Sequence, residues 1–240
     1  KEGKNEVLIQ VRHQSPNSRW YSGAGLYRKV WIKLCAETYL PMDGTYVSTA
    51  PCENGFRLEA ETEIAGRKSG TCACRYLLRA EDGTELELGW QQWKKEDEAG
   101  KGVCKVGISA VVPNPSLWDV EEPICYTLVV ELWEKQARLA RKDRPCLVLI
   151  DRSEITVGFR TMCFNADEGF FLNGRHLKIH GVCEHHDFGC LGATFHTAAM
   201  ERKIRILKQM GVNAIRTSHN MPAAELMELA DSMGMLGVNE

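Results

Sequence analysis

Along most of the chain, apolar and polar positions alternate with a period of two. Phe56, Leu58, Ala60, Thr62 and Ile64 take every second place in Phe56–Ala65. Side chains of a strand point alternately to its two faces, so such a run predicts a strand with one face buried. Runs of the same kind follow at Cys72–Ala80, Glu85–Gly89, Val103–Val112 and Cys125–Glu134, and EDGTE (Glu81–Glu85) between two of them is a hairpin signal. Short strands at regular spacing from about Ala36 to Gly158 predict an all-β, immunoglobulin-like sandwich. Ahead of it, Glu6–Arg12 alternates through Val7, Ile9 and Val11, and Leu26–Leu34 reads as a second strand. Two strands alone do not make a stable unit. Glu134–Arg144, rich in Lys, Arg and Ala, fits a long hairpin tip or a short helix.

After Arg160 the period changes. His176–Val182 has the β-branched, apolar content of a strand. Thr197 is placed to cap a helix over Ala198–Met210, with Met200, Ile204 and Leu207 on one stripe and Gly211 beyond its end. Val212–Arg216 is a short buried strand. Pro222 falls in the first turn of a second helix, whose Leu226, Leu229, Ala230 and Met233 face inward until Gly234 stops it. Met235–Asn239 closes the series as a third strand. Strand–helix–strand–helix–strand predicts parallel strands joined by right-handed crossovers. Chemistry in such sheets collects at the carboxyl ends of the strands. Here those ends carry Glu184, His185, His186 and Asp187, then Arg216, Thr217, Ser218, His219 and Asn220. Surface loops are polar in any case. Arg216, however, directly closes an apolar strand, where a solvated charge has no structural duty.

Composition narrows the field. A hydrophobic content of 44%, a charged content of 26% and a net charge of -2 describe a globular chain with no electrostatic reason to bind nucleic acid or an anionic membrane. Its apolar runs are too short to span a bilayer. The chain opens on Lys1 with no initiator Met and no signal peptide, and so reads as an excerpt. Of its ten cysteines, Cys35, Cys104, Cys125, Cys146 and Cys163 sit in strand-like apolar settings. The expectation is reduced thiols in a cytoplasmic protein. Cys72 and Cys74 share one strand face and are poorly placed to bridge each other. Cys183, His185, His186 and Cys190 could be offered to zinc, but their spacing matches neither a C-x-x-C knuckle nor H-E-x-x-H, so no metal or other cofactor is expected.

Several separated motifs, in order, resemble glycoside hydrolase family 2, which comprises β-galactosidases, β-glucuronidases and β-mannosidases. Trp20, Gly23, Gly25, Leu26, Tyr27, Arg28, Val30 and Trp31 are similar to the signature closing that family's jelly-roll sugar-binding domain. Pro113–Tyr126 resembles an element late in its sandwich domain, where Trp118 is expected to be a core anchor rather than a sugar platform. Ile155–Arg160 resembles the strand linking sandwich to barrel, and Phe170–Gly174 a small F-x-L-N-G hairpin before the first barrel strand. Phe170–Gly192 and Ile206–Leu236 resemble the opening of the catalytic barrel. The resemblance implies a multidomain chain. Residues 1–36 would end the jelly roll, 37–158 form the sandwich, and 159–240 supply the first three strands of a (β/α)8 TIM barrel.

For the chemistry, the resemblance implies a retaining exo-β-glycosidase acting on terminal β-linked sugars, β-galactosidase first. Retaining glycosidases use two carboxyl groups about 5–5.5 Å apart. In this family both are glutamates, after the fourth and seventh barrel strands, so no catalytic residue is assigned within these 240 residues. Glu240 matches the third-strand element instead. Arg216 matches the arginine that hydrogen-bonds the nucleophilic carboxylate. His219 matches a histidine contacting the sugar in the first subsite, and His185 lies in a loop near that subsite. Asn17 occupies the place of a loop approaching the sugar, or simply forms an Asx-type turn after Pro16. The sequence departs from the family where Cys183 stands for a common Asn, His186 for a Glu, and Gly237 and Asn239 for a larger residue and an Asp. The expected partner is a carbohydrate, with a homo-oligomer left open. A non-catalytic β-sandwich module, carbohydrate-binding or structural, is the alternative reading.

Overall fold

The computed structural model describes residues 3–14, 25–66, 71–94, 103–136, 146–185, 187–219 and 221–239. Its larger part is two antiparallel sheets face to face. In the first, β1 (Thr38–Tyr39), β2 (Thr45–Cys52) and β3 (Gly55–Gly66) are joined by β6 (Val103–Val112). β3 runs between β6 on one edge and β1 with β2 on the other. In the second, β4 (Thr71–Arg79), β5 (Glu85–Lys94), β7 (Tyr126–Gln136) and β8 (Cys146–Val157) lie in the order β5-β4-β7-β8.

Alternation decides which side chains meet. Phe56, Leu58, Ala60 and Ile64 of β3 pack against Cys72, Cys74, Tyr76 and Leu78 of β4 and Leu128, Val130 and Leu132 of β7 in one buried cluster. Within each strand these positions are an even number of residues apart, which puts them on the inner face. The EDGTE hairpin closes with Gly83 at φ +86° and its N–H donating to Ala80. β7 and β8 pair along their length as far as Gln136 and Cys146, and residues 137–145, with most of the Lys/Arg/Ala-rich stretch, fall outside the described residues.

The two leading strands do not form. Glu6–Arg12 and Leu26–Leu34 have no strand partner among the described residues, and Val7, Leu8, Ile32 and Leu34 are exposed. A strand needs a neighbour to take up its backbone hydrogen bonds, and alternation alone cannot supply one. Residues 25–34 are held by side chains instead. Lys33 Nζ donates to Asp151 Oδ2 at 2.9 Å and to the Leu40 carbonyl at 2.5 Å, while Lys29 pairs with Glu225 at 2.8 Å. Trp20 and Gly23 of the leading motif lie outside the described residues.

Past the sandwich come β9 (Met162–Asn165), β10 (Gly169–Leu172) and β11 (Arg175–His176), a small antiparallel sheet. Asn173 and Gly174 turn β10 into β11 with φ of +52° and +76°. That left-handed pair is what Asn-Gly provides in a two-residue hairpin. The first parallel strand, β12, is Gly181–Glu184, so it starts later than the apolar run suggested, because His176 is already spent in the hairpin. α1 (Thr197–Gln209), β13 (Ala214–Thr217), α2 (Ala224–Met233) and β14 (Leu236–Asn239) follow. β13 lies between β12 and β14, both pairings parallel. Two cap expectations are corrected. His196 caps α1 without a side-chain bond, and Thr197 is already helical. Pro222 precedes α2, whose cap is Ala223; with φ fixed, proline extends the chain into the helix as readily as it starts one. Gly234 ends α2 as expected, in the left-handed conformation at φ +69°. A Cβ there would stand 2.3 Å from the Val120 carbonyl, so only glycine fits.

Helices and parallel sheet share a core of Met200, Ile204, Ile215, Leu226, Ala230 and Met235. Sandwich and parallel sheet meet at Trp118, which is 2% exposed and packs with Val120, Phe170, Leu172, Ala214 and Leu236. Its indole N–H donates to the Asp231 carbonyl at 2.7 Å, and its own carbonyl accepts from Asn173 Nδ2 at 3.0 Å. Lys208 adds a second tie, its Nζ reaching the carbonyls of Val120 at 2.7 Å and Met233 at 2.8 Å.

Cysteines divide sharply by place. Cys72, Cys74 and Cys104 are buried in the sandwich, where burial and the neighbouring thiols push the Cys74 thiol up to about 12. Cys35 and Cys163, expected in apolar settings, are exposed, because their segments have no covering layer among the described residues. Iodoacetamide at neutral pH is therefore expected to label Cys35, Cys163, Cys183 and Cys190 within minutes, and Cys72, Cys74 and Cys104 only after unfolding. Peptide mass mapping reads the result. Equal labelling rates would contradict the burial.

Candidate functional site

β12 and β13 end side by side, with Cys183 opposite Arg216 and Glu184 opposite Thr217. Past the strands the ladder continues one step, as the Ser218 N–H donates to the Glu184 carbonyl at 3.0 Å. The peptide between Ser218 and His219 is cis. The loop after β12 thus carries His185 toward His219 from the loop after β13. Their imidazole rings stand edge to face with centroids 5.8 Å apart. Arg216 shares its strand face with Ala214, by the period of two, and its Nη1 reaches Ser218 Oγ at 3.1 Å and Cys183 Sγ at 3.5 Å. Thiol sulfur is a weak acceptor, so that second bond constrains the guanidinium less than the amide of an Asn would. At the third strand, Thr217 Oγ1 meets Asn239 Oδ1 at 3.4 Å.

The sequence-predicted residues are therefore largely brought together. His185 and His219 meet ring to ring, and Arg216 reaches the residue before His219. Asn17, His186, Asn220 and Glu240 lie outside the described residues. Asp187 turns back on its own loop, its Oδ1 accepting from the Gly189 N–H at 2.8 Å. As for the zinc alternative, no group of three or more His, Cys, Asp or Glu among the described residues is arranged to hold a metal ion.

Lys203 was missed, and Glu184, named among the residues at the strand end, was given no role. Glu184 is 7% exposed and its Oε1 takes the Lys203 Nζ at 2.6 Å. Lys203 also donates to the Asp187 carbonyl at 3.2 Å and lies 4.8 Å over the Phe188 ring. The signal was present in the sequence. Lys203 stands three after Met200 and four before Leu207, inside the stripe that α1 reserves for apolar residues. A lysine there has something to reach.

Parallel strands joined by helices, with arginine and histidine converging at their carboxyl ends, form the arrangement of a β/α-barrel site. Comparison with known proteins carries this further. Residues 165–240 match the family model described as "Glycosyl hydrolases family 2, TIM barrel domain". The β-galactosidase BoGH2A of Bacteroides ovatus is 40% identical over 98% of this chain. A solved glycosyl hydrolase family 2 member from Bacteroides cellulosilyticus DSM 14838 superposes with a TM-score of 0.81 over 96% of the chain at 31% identity. A Bacteroides uniformis β-glucuronidase, solved covalently bound to cyclophellitol-6-carboxylate aziridine, gives 0.75 over 90% at 29% identity. The chain belongs to glycoside hydrolase family 2. It spans 27% of the length of the B. ovatus relative, and 30% and 25% of the two solved chains.

Proposed function

We propose that this chain belongs to a retaining exo-β-glycosidase that removes terminal β-linked sugars, with β-galactosides as the first substrates to try. The supporting observation is the meeting of His185 and His219 at the carboxyl ends of β12 and β13, beside Arg216. Imidazoles donate to and accept from sugar hydroxyls, while the arginine holds a carboxylate ionised and oriented. In this reading residues 1–36 complete a jelly roll, 37–158 are an immunoglobulin-like sandwich, and 159–240 open a (β/α)8 barrel. The two catalytic glutamates come from later barrel strands. Its richness in free thiols supports a cytoplasmic location. A barrel takes about 250 residues, and β12 and β14 each have one neighbour among the described residues, so the 240-residue chain alone is expected to be inactive.

β-Glucuronidase is the second reading, favoured by the B. uniformis likeness. The test is a panel of nitrophenyl β-galactoside, β-glucuronide and β-mannoside on the complete polypeptide. Turnover of one of them supports the reading and chooses the sugar. No turnover of any, with sugar binding retained, supports the non-catalytic module. Cleavage by the 240-residue chain itself would overturn the assignment of both glutamates to later strands.

A further inference from the structure

We propose that Lys203 and Glu184 are positioning residues for this site, setting the loop that presents His185; the inference rests on the glycosidase reading above. The geometry is that of a clamp. Glu184 immediately precedes His185, and its main-chain carbonyl accepts from Ser218, the residue before His219. Its carboxylate, turned inward, holds Lys203 Nζ at 2.6 Å. The same ammonium donates to the carbonyl of Asp187, two residues after His185, and sits on the ring of Phe188. Inside that span, the Asp187 N–H donates to the His185 carbonyl at 2.5 Å. Phe188 packs edge to face on Phe195 at 5.6 Å and against His196, the cap of α1. One cation from α1 therefore grips the loop on both sides of His185.

Each partner is needed in its own form. A nearly buried carboxylate without its cation is strongly unfavourable, whereas the Lys203 ammonium, 33% exposed, loses less without its anion. Only a cation both donates to a carbonyl and is attracted to an aromatic face. The charge-swapped variant Glu184→Lys/Lys203→Glu thus separates two roles. It restores the ion pair, but a carboxylate at 203 cannot donate to Asp187 and is repelled by the Phe188 ring. If the pair serves stability alone, the swap recovers everything. If it positions His185, the swap recovers stability and not catalysis.

The experiment uses the complete polypeptide, with wild type, Lys203→Met, Glu184→Gln and the swap. Expected for the swap is a Tm near wild type with kcat/KM lowered about tenfold or more on the best nitrophenyl glycoside, since small displacements of positioning groups cost rate steeply. Glu184→Gln, which keeps a hydrogen-bond acceptor for Lys203, is expected to lose less than Lys203→Met. Hydrogen exchange of the peptide spanning His185–Leu191 should rise in Lys203→Met and in the swap. A swap that regains full kcat/KM, or exchange unchanged in every variant that folds, overturns the proposal. Should wild type hydrolyse no glycoside, the glycosidase reading fails by itself, and the exchange measurement still decides whether the clamp sets the loop.

Discussion

On the proposed glycosidase function, replacing Arg216 by alanine in the complete polypeptide is expected to lower kcat/KM by about a hundredfold to a thousandfold, the range seen when one charge-stabilising donor is removed from an active site. Arg216 is the penultimate residue of β13, with its Nη1 on Ser218 Oγ and Cys183 Sγ. In the proposed glycosidase the guanidinium lies beside the nucleophilic carboxylate, which a later barrel strand supplies. A cation beside a carboxylate lowers its pKa; removing the cation raises it. Because the nucleophile works ionised, the acid limb of the kcat/KM profile should move to higher pH in Arg216→Ala. Arg216→Lys keeps the charge but not the fork, and should recover the pH limb better than the rate. A variant with wild-type rate and an unmoved limb would remove Arg216 from the site.

The second large effect is on stability. Trp118→Ala should destabilise the protein by about 3–5 kcal/mol, as for other buried aromatics reduced to alanine. Trp118 is 2% exposed, carries Arg160 4.8 Å over its ring, and joins sandwich, hairpin and α2 through Phe159, Asn173 and Asp231. Trp118→Phe keeps most of the apolar volume but leaves the Asp231 carbonyl with only the weak Cys125 thiol as side-chain donor, and should cost about 1–2 kcal/mol. Urea unfolding measures both. If the parallel sheet and sandwich unfold in separate transitions in Trp118→Ala but together in wild type, the indole is the coupling. Loss of less than about 1 kcal/mol would show that the contact is dispensable.

Much of this was legible in the residues. Alternation through Phe56, Leu58, Ala60 and Ile64 placed those side chains in the sandwich core, because a pleated strand offers only two faces. Met200, Ile204, Leu226 and Ala230 likewise fell on the inner stripes of their helices. Asn173-Gly174 and Gly234 announced a turn and a stop through their left-handed backbones. The order strand–helix–strand placed the His185 and His219 loops at one end of one sheet, since parallel pairing aligns carboxyl ends. Where pattern failed, a partner was missing from the argument. Glu6–Arg12 alternates like a strand, but a strand exists only beside another. His176 reads as part of an apolar run, yet a hairpin claims it first.

Periodicity and turn chemistry, then, determined which side chains face inward and which loops share an end, because both follow from local backbone geometry. Tertiary structure alone decided that Lys203 crosses from α1 to Glu184 and Asp187, that Trp118 reaches α2, and that two imidazoles 34 positions apart (His185 and His219) stand ring to ring. Those contacts join residues remote in the chain, and their energies depend on burial and distance, which no local pattern encodes.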